Sequence, residues 1–253
     1  MAIITKADPV DNPSGALIGY ANVLTESTTS DDLALTPNTY ERIEPPSGSL
    51  LAKFNTASDE AIDFIGIAAH TLSGETITVS TATSVGGGLT TVEVIAPTDN
   101  APIMLIFDSR TIREVILSAT LGAASEIGVV SAGAALQMPR NIYGGHSPIT
   151  LSAVTEYQST MSESGQFLGK NIIRKGLEAS FSWQFLDDGF IRNTFKPFIE
   201  SARSLPFFIK WRPDFYSNEV VYGEVNRDIV PQNMGGGHRL MSAGFTMTAH
   251  SDL

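Results

Sequence analysis

Apolar and polar residues alternate along much of this chain with the period of β-strands. Before residue 136, runs of about five to eight residues rich in Ile, Val, Leu and Thr recur between turn residues, at intervals of roughly a dozen. This rhythm is typical of an antiparallel β-sandwich. The clearest alternation lies in 177–185, where every second residue is apolar. The pattern therefore predicts a mainly β protein, with no convincing helix in the first half.

One later segment changes to helical spacing and predicts a helix near 188–204. Its apolar stripe consists of Ile191, Phe195, Phe198, Ile199 and Ala202. We expect this stripe to pack on the strand face that holds Phe181, Trp183 and Phe185. Strands follow the helix, so the second half is predicted to be a compact α+β unit.

Two features mark the ends of this predicted helix. Asp187 and Asp188 suit its N-terminus, where free N–H groups and the helix dipole favour carboxylates. A catalytic acid–base pair is the alternative interpretation of these two residues, and capping is preferred. Pro197 should kink the helix or lie in the first turn of a shorter one.

Charge and aromatic content divide the chain near residue 135. Residues 1–135 hold 5 Lys and Arg against 16 Asp and Glu, whereas residues 136–253 hold 11 of each. Trp183, Trp211 and ten of the 13 Phe residues lie in the second part. We therefore predict two domains, 1–135 and 152–253, joined by 136–151. The acidic first half argues against a nucleic-acid partner.

Several classes of chemistry lack their sequence signatures. The chain has no Cys, and it shows none of the phosphate-loop, dinucleotide, zinc-protease or nucleophile-elbow motifs. His70, His146, His238 and His250 are dispersed, so a structural role is preferred for each. The start lacks the apolar run of a signal peptide, and no stretch approaches the ~20 apolar residues of a membrane helix. We therefore predict no catalytic residue, no metal ligand, no cofactor and no membrane insertion.

The segment 137–152, "QMPRNIYGGHSPITLS", is predicted to be a joint that also makes subunit contacts. Prolines stiffen both of its ends, and two glycines between them allow a sharp turn. It carries a mixture of side chains that is common in interfaces. The predicted subunit-interface residues are Met138, Arg140, Ile142, Tyr143 and His146. Packing against the chain's own two domains and a sugar-binding loop are the alternatives.

Several ordered blocks resemble minor tail proteins of long-tailed bacteriophages. The blocks are "ALQMPRNIYGGHSPITLS", "SGQFLGKNIIRKG", "FKPFIESARSLPFFIKWRPDFY" and "LMSAGFTMTAH". The second half is similar to the distal tail protein class, which implies a tail-tube-like β unit with one helix that forms a ring. In the first half, "DFIGIAAHTL", "APTDNAPIMLIFDS" and "IGVVSAGAALQMP" resemble the jelly-roll domains of the discoidin type. Many distal tail proteins have these domains in the opposite order.

The resemblance implies a structural component of the virion tail tip, made in the bacterial cytoplasm. Its implied partners are further copies in a hexameric ring, the tail tube protein and the tail hub or fibre proteins. The second hypothesis is a receptor-binding protein whose jelly roll binds a host surface glycan. The first half has no Trp and few other aromatics for sugar stacking, which favours the scaffold. A carbohydrate-processing enzyme is the third, and it lacks an identifiable pair of carboxylates.

Overall fold

Two antiparallel β-sheets and one helical segment make up most of the described molecule. The computed structural model describes residues 15–28, 32–45, 48–144, 148–235 and 239–250. The strands in chain order are β1 (Leu17–Gly19), β2 (Leu24–Ser27), β3 (Leu50–His70), β4 (Ile77–Ala82), β5 (Leu89–Ile95), β6 (Ile103–Ala119), β7 (Ile127–Gly133), β8 (Ala135–Gln137), β9 (Ala153–Met161), β10 (Phe167–Asp187), β11 (Phe207–Lys210), β12 (Val220–Val225), β13 (Gln232–Asn233) and β14 (Leu240–Ala249). Short 3-10 turns occupy Asp32–Leu35 and Ile149–Leu151. The predicted mainly β class, with one helix in the second half, is confirmed.

The first sheet is built on two strands that are longer than the sequence pattern predicts. Its order is β2-β3-β6-β4-β5, and β7 pairs with the C-terminal part of β3. The charged residues near Asp59 and Asp108 interrupt the apolar pattern, yet both lie inside strands. Register shifts between Asn55 and Glu60 and between Ile62 and Phe64 bend the β3–β6 ladder. The bent pair encloses one apolar core with the shorter strands.

The second sheet carries the helical segment on its apolar face. Its order is β8-β1-β11-β12-β14-β10-β9, with β13 paired to β14. All five residues of the predicted helical stripe are buried. Phe198 lies at the centre of an aromatic cluster, with its ring centroid 4.9 Å from Phe207 and 5.8 Å from Phe245. Trp183 is fully buried in the same core. The predicted packing of the stripe against Phe181 and Trp183 is therefore confirmed.

Phe185 departs from the predicted face, and a β-bulge explains why. The register between β10 and β14 shifts between Trp183 and Leu186. Phe185 adopts a left-handed φ of 60° and is 44% exposed. The extra residue reverses the alternation, so Leu186 is buried in the place that strict alternation gives to Phe185. The prediction for this side chain was wrong.

The helical segment consists of three short pieces. An α-turn over Asp188–Phe190 leads into a π-helical turn, Ile191–Phe195, and then into an α-helix, Lys196–Ala202. The Asp187 carboxylate accepts a hydrogen bond from the Phe190 N–H at 3.1 Å, which is the predicted N-cap. Pro197 lies in the first turn of the last piece, where its missing N–H costs least. The proline thus lies at the start of a shorter α-helical piece, which is one of its two predicted positions.

The second sheet takes strands from both sides of residue 135. β1 pairs with β11 on one side and with β8 on the other, so an early segment lies inside the later sheet. Ala16, Ile18, Leu136 and Met138 share the second core. The independence of 1–135 and 152–253 stays a prediction.

A third apolar cluster joins the two sheets through two reciprocal contacts of Phe with Gly. The Phe64 ring from β3 covers Gly19 of β1, and the Phe208 ring from β11 covers Gly66 of β3. A Cβ atom at either glycine would lie 2.6 Å from the facing ring. Tyr222 packs on Phe208 with their ring centroids 4.6 Å apart. The absent side chains therefore let the two sheets approach closely.

In the described part of the chain, no helix is long and apolar enough to cross a membrane.

Candidate functional site

The structure separates the predicted joint residues into buried and exposed ones. Met138 is 1% exposed in the second core, and its N–H donates to the Ala16 carbonyl, so it is not on the surface of a single chain. Ile142 packs partly against the same core. Arg140 and Tyr143 are exposed, and the Tyr143 N–H donates to the Ser182 carbonyl at 2.7 Å. Their subunit contacts stay a prediction.

The remaining residue of that predicted set, His146, lies outside the described residues, as does His238. His70 is fully buried, with Nε2 2.9 Å from the Ala101 carbonyl oxygen. Its Nδ1 accepts a hydrogen bond from the Leu72 N–H at 3.3 Å. A ring that accepts at Nδ1 and donates at Nε2 is neutral, and it fixes the loop that follows β5. This geometry fits the predicted structural role of His70. The described residues contain no group of three or more His, Asp and Glu that could hold a metal.

A long two-stranded arm projects from the second sheet, and sequence reasoning missed it. The arm comprises 153–176: β9, its turn, and the part of β10 before the pairing with β14 begins at Leu177. Among the described residues, no third strand pairs with it. Nine strand residues correspond to a length of about 30 Å. The turn is closed by a hydrogen bond of 2.9 Å from the Ser162 N–H to the Gln166 carbonyl and by Gly165 at a φ of 80°.

One face of the arm continues the buried face of the sheet, and no other described strand or helix covers it. Leu177 opposite Ala153 is buried in the core, and the same face runs outward through the pairs Tyr157–Ile172 and Met161–Phe167. Those last four side chains are 48–66% exposed. The Lys170 ammonium lies 3.3 Å from the centroid of the Tyr157 ring on this face. The pairs Thr155–Lys175 and Ser159–Lys170 lie between the apolar pairs on this face, so the arm extends the core face as an exposed surface of alternating apolar and polar pairs.

The other face and the bulges of the arm add further exposed apolar side chains. Register shifts between Phe167 and Gly169 and between Ile172 and Arg174 place extra residues in β10. Leu168 and Ile173 occupy these shifts and are 63% and 59% exposed. An isolated two-stranded ribbon is marginal in water, so this ribbon gains most from a partner.

A cleft of about 350 Å³ lies between the two sheets and is the second candidate site. The first sheet contributes the end of β5, the loop 96–102 and the start of β6; the second contributes β1, β8, the end of β11 and the loop 213–218. Its polar lining residues are Glu93, Thr98, Asp99, Gln137, Lys210, Asp214, Ser217 and Asn218. Aliphatic residues and prolines form the rest of the wall, and no aromatic side chain lines it.

Lys210 is the single basic residue among those that line the cleft. Its Nζ donates to the Met104 carbonyl at 3.2 Å, which links the second sheet to the first. Burial lowers the pKa of Lys210, and the nearby Glu93 carboxylate opposes this shift. The ammonium is therefore held in a partly desolvated position near the Glu93 carboxylate.

The loop over the cleft is held by hydrogen bonds within the loop and to the segment that ends β3 and follows it. The Asp99 carboxylate accepts from the Ala101 N–H at 3.1 Å, and the Asn100 side chain accepts from the Ser73 N–H at 3.1 Å. Together with the His70 contact, these bonds fix the loop before any ligand binds. The sequence gives little signal for this cleft, because its residues come from segments as far apart as Leu17 and Val220.

Comparisons with known proteins give likeness in structure only. No family model and no curated protein matches the chain. Among solved structures, chitosan-binding module 1 of a chitosanase/glucanase from Paenibacillus sp. IK-5 is 14% identical with a TM-score of 0.37, covering 45% of this chain and 97% of that one. CBM32-1 from a family 31 glycoside hydrolase of Clostridium perfringens is 11% identical with a TM-score of 0.38, covering 45% and 98%. A pectin-binding carbohydrate-binding module is 11% identical with a TM-score of 0.37, covering 44% and 91%. At these scores, the function of this chain has to be argued from its own residues.

Proposed function

We propose that this chain is a structural protein that assembles with further copies of itself through the arm. The observation that supports it is the arm face that continues the core face beyond Leu177, on which the exposed apolar pairs Tyr157–Ile172 and Met161–Phe167 alternate with the polar pairs Thr155–Lys175 and Ser159–Lys170. In a single chain this face leaves these four apolar side chains 48–66% exposed. In an assembly it is covered by a neighbouring copy, as the inner part of the same face is covered by the helix.

The arm is large enough to form the contact that would repeat between successive copies of the chain. Two faces of about 30 by 10 Å expose roughly 600 Å², close to the ~800 Å² per partner of a specific interface. Completing the burial of six half-exposed apolar side chains stabilises the contact by roughly 1 kcal/mol each. Association costs at least about 4 kcal/mol. In a closed ring, the arm of each copy packs on one neighbour and the arm of another neighbour packs on that copy, so every copy makes two contacts. Such a ring is therefore more stable than a pair of copies joined by a single contact.

Charge favours another copy of this chain as the partner. Residues 153–176 hold three Lys and Arg against two Asp and Glu, whereas the rest of the chain holds 13 against 25. The arm is thus the basic part of an acidic protein. An arm seated on the acidic body of a neighbour gains favourable electrostatics, whereas two bodies in direct contact repel each other.

The sequence resemblance supplies the biological setting of this proposal. It implies a ring of six copies at the tip of a bacteriophage tail, between the tail tube and the host-binding proteins. Arg140 and Tyr143, exposed near the start of the second half, are the proposed additional subunit contacts. Placement of the acidic first half on the periphery of the ring, or along its lumen, belongs to the same proposal.

Light scattering coupled to size-exclusion chromatography tests assembly through the arm. The full chain is compared with the double variant Phe167→Asp/Ile172→Asp and with the control Leu205→Asp/Val230→Asp. The control replaces two exposed apolar residues outside the arm and changes the net charge equally. We expect the full chain and the control to form one oligomer, and the arm variant to be a monomer that keeps the far-ultraviolet circular dichroism spectrum of the full chain. A full chain that stays monomeric at its highest soluble concentration, or an arm variant that assembles normally, would overturn the proposal.

A second candidate function is glycan binding, and the cleft is the observation that favours it. It combines hydrogen-bonding side chains with aliphatic walls at a volume typical of small-molecule sites. This function is compatible with assembly, because neither strand of the arm lines the cleft.

A further inference from the structure

We infer that the cleft between the two sheets binds one or two rings of a sugar that carries no negative charge. The inference rests on the second candidate function and names its site, its ligand class and the residues that select it. The principal ligand-binding side chains are Lys210, Glu93 and Asp214.

The shape of the cleft sets the size of the ligand. Its volume of about 350 Å³ is near the lower end of the range for small-molecule sites, ~300–1,000 Å³. Residues of both sheets line it, so a ligand held there touches the loop 96–102 on one side and the loop 213–218 on the other. A short sugar fits this volume, and a long polymer would have to pass the walls on both sides.

The chemistry of the lining suits hydroxyl groups. Ionised carboxylates accept hydrogen bonds at several positions, and a lysine ammonium offers three N–H donors. The bond to the Met104 carbonyl uses one donor of Lys210. A sugar hydroxyl both donates and accepts, so one hydroxyl can bridge Lys210 and a carboxylate such as that of Glu93. The C–H faces of the ring can pack on the aliphatic wall, which includes Leu17, Pro102 and Val220.

The charge of the lining determines which sugars are excluded. Three acidic residues, Glu93, Asp99 and Asp214, line the cleft together with one basic residue, Lys210, and the whole chain has a net charge of −11. A uronic acid would bring another carboxylate into this partly desolvated space, where like charges interact strongly. A neutral sugar avoids that repulsion, and an amino sugar gains attraction. The absence of an aromatic wall removes sugar stacking, so hydrogen bonds provide most of the selectivity.

Saturation-transfer NMR and calorimetry on the full chain test the inference. The probes are glucose, galactose and mannose, each as the neutral sugar, the 2-amino sugar and the uronic acid, because each set of three keeps its configuration while the charge changes. We expect at least one neutral or amino sugar to bind and its uronic acid to bind at least tenfold more weakly. Lys210→Met should weaken binding at least tenfold and Asp214→Asn by several-fold. The matched control Lys175→Met, in the arm, should leave binding unchanged.

The results distinguish failure of the cleft as the binding site from failure of glycan binding as a function. Sugar binding that survives both cleft substitutions within twofold overturns the cleft and leaves glycan binding intact at another place. Binding of the uronic acids in preference to the neutral sugars overturns the charge argument. If none of the nine sugars binds, the second candidate function fails and the cleft inference fails with it. A melting temperature for each variant shows that lost binding does not come from unfolding.

Discussion

Truncating Phe195 to Ala should remove a large part of the stability of the second core. Phe195 is fully buried in the π-helical turn, and its ring centroid lies 5.3 Å from that of Phe198 and 6.1 Å from that of Phe190. The substitution leaves a cavity beneath a helical segment that already contains a π-helical turn. Collapse of the helix into this cavity is limited, because Phe198 is held in turn by Phe207 and Phe245.

The expected cost is about 3–5 kcal/mol, the range for a buried Phe replaced by Ala. A domain of this class has roughly 5–15 kcal/mol of stability in total, so the variant would retain a small margin. For a chain of this size, 1 kcal/mol shifts the melting temperature by about 2–4 °C, which gives a decrease of roughly 6–20 °C.

Urea unfolding followed by tryptophan fluorescence measures this cost directly, because Trp183 and Trp211 both lie in the second core. Phe215→Ala is the matched control: its ring is 63% exposed, with the Arg212 guanidinium 4.6 Å from its centroid. The control should cost less than about 1 kcal/mol, since exposed cation–π contacts are weak. A cost below about 1 kcal/mol for Phe195→Ala as well would show that the helical stripe is not packed as described.

Two further substitutions test the contact between the sheets and the state of the cleft lysine. Gly66→Ala should lower the free energy of unfolding in urea by about 1–3 kcal/mol, because the new Cβ meets the Phe208 ring. The control Gly88→Ala, whose Cβ would have nothing within 4 Å, should change that free energy by less than about 0.5 kcal/mol. Equal effects of the two substitutions would refute the close approach of the sheets. The pKa of Lys210 is lower in the folded chain than its ordinary value of 10.5. Burial of the charged ammonium therefore lowers the stability of the folded chain by its full amount below the folded pKa, and this loss of stability disappears as pH rises towards 10.5. The stability of Lys210→Met relative to the natural chain should therefore fall as pH rises from 7 to 10.5, and a difference that does not change with pH would contradict this.

The helical segment could be predicted from sequence because its determinants are local. The spacing of Ile191, Phe195 and Phe198, the capping carboxylate of Asp187 and the position of Pro197 all act within about four residues. The structure places each of them as predicted.

Phe185 and the long strands β3 and β6 could not be predicted, because bulges change the alternation without changing composition. The positive φ of Phe185 has no signature in the letters around it. Asp59 and Asp108 resemble turn residues, yet both lie at register shifts of the β3–β6 ladder, which takes up the extra residues without ending either strand.

The two candidate sites were missed for different reasons. Every residue of the arm is in the sequence block "SGQFLGKNIIRKG" or just before it, but strand alternation alone does not show that both faces are exposed. A turn cluster at 162–166 between two alternating runs was the available signal for a hairpin. The cleft had no such signal, since Glu93 and Lys210 come together only through tertiary packing.

Because β1 pairs with a strand that is synthesised much later, the second sheet can be completed only after most of the chain has been made. β1 is among the first described segments to leave the ribosome, yet it pairs with β11, about 190 residues later. At roughly 5–20 residues per second, this partner follows after about 10–40 s, and until then one edge of β1 has no strand beside it. A nascent or truncated chain that ends before Phe207 can fold the first sheet but cannot close the second. The arm would then lack its finished base, and in the proposed assembly such premature chains would be unable to take a place beside complete ones.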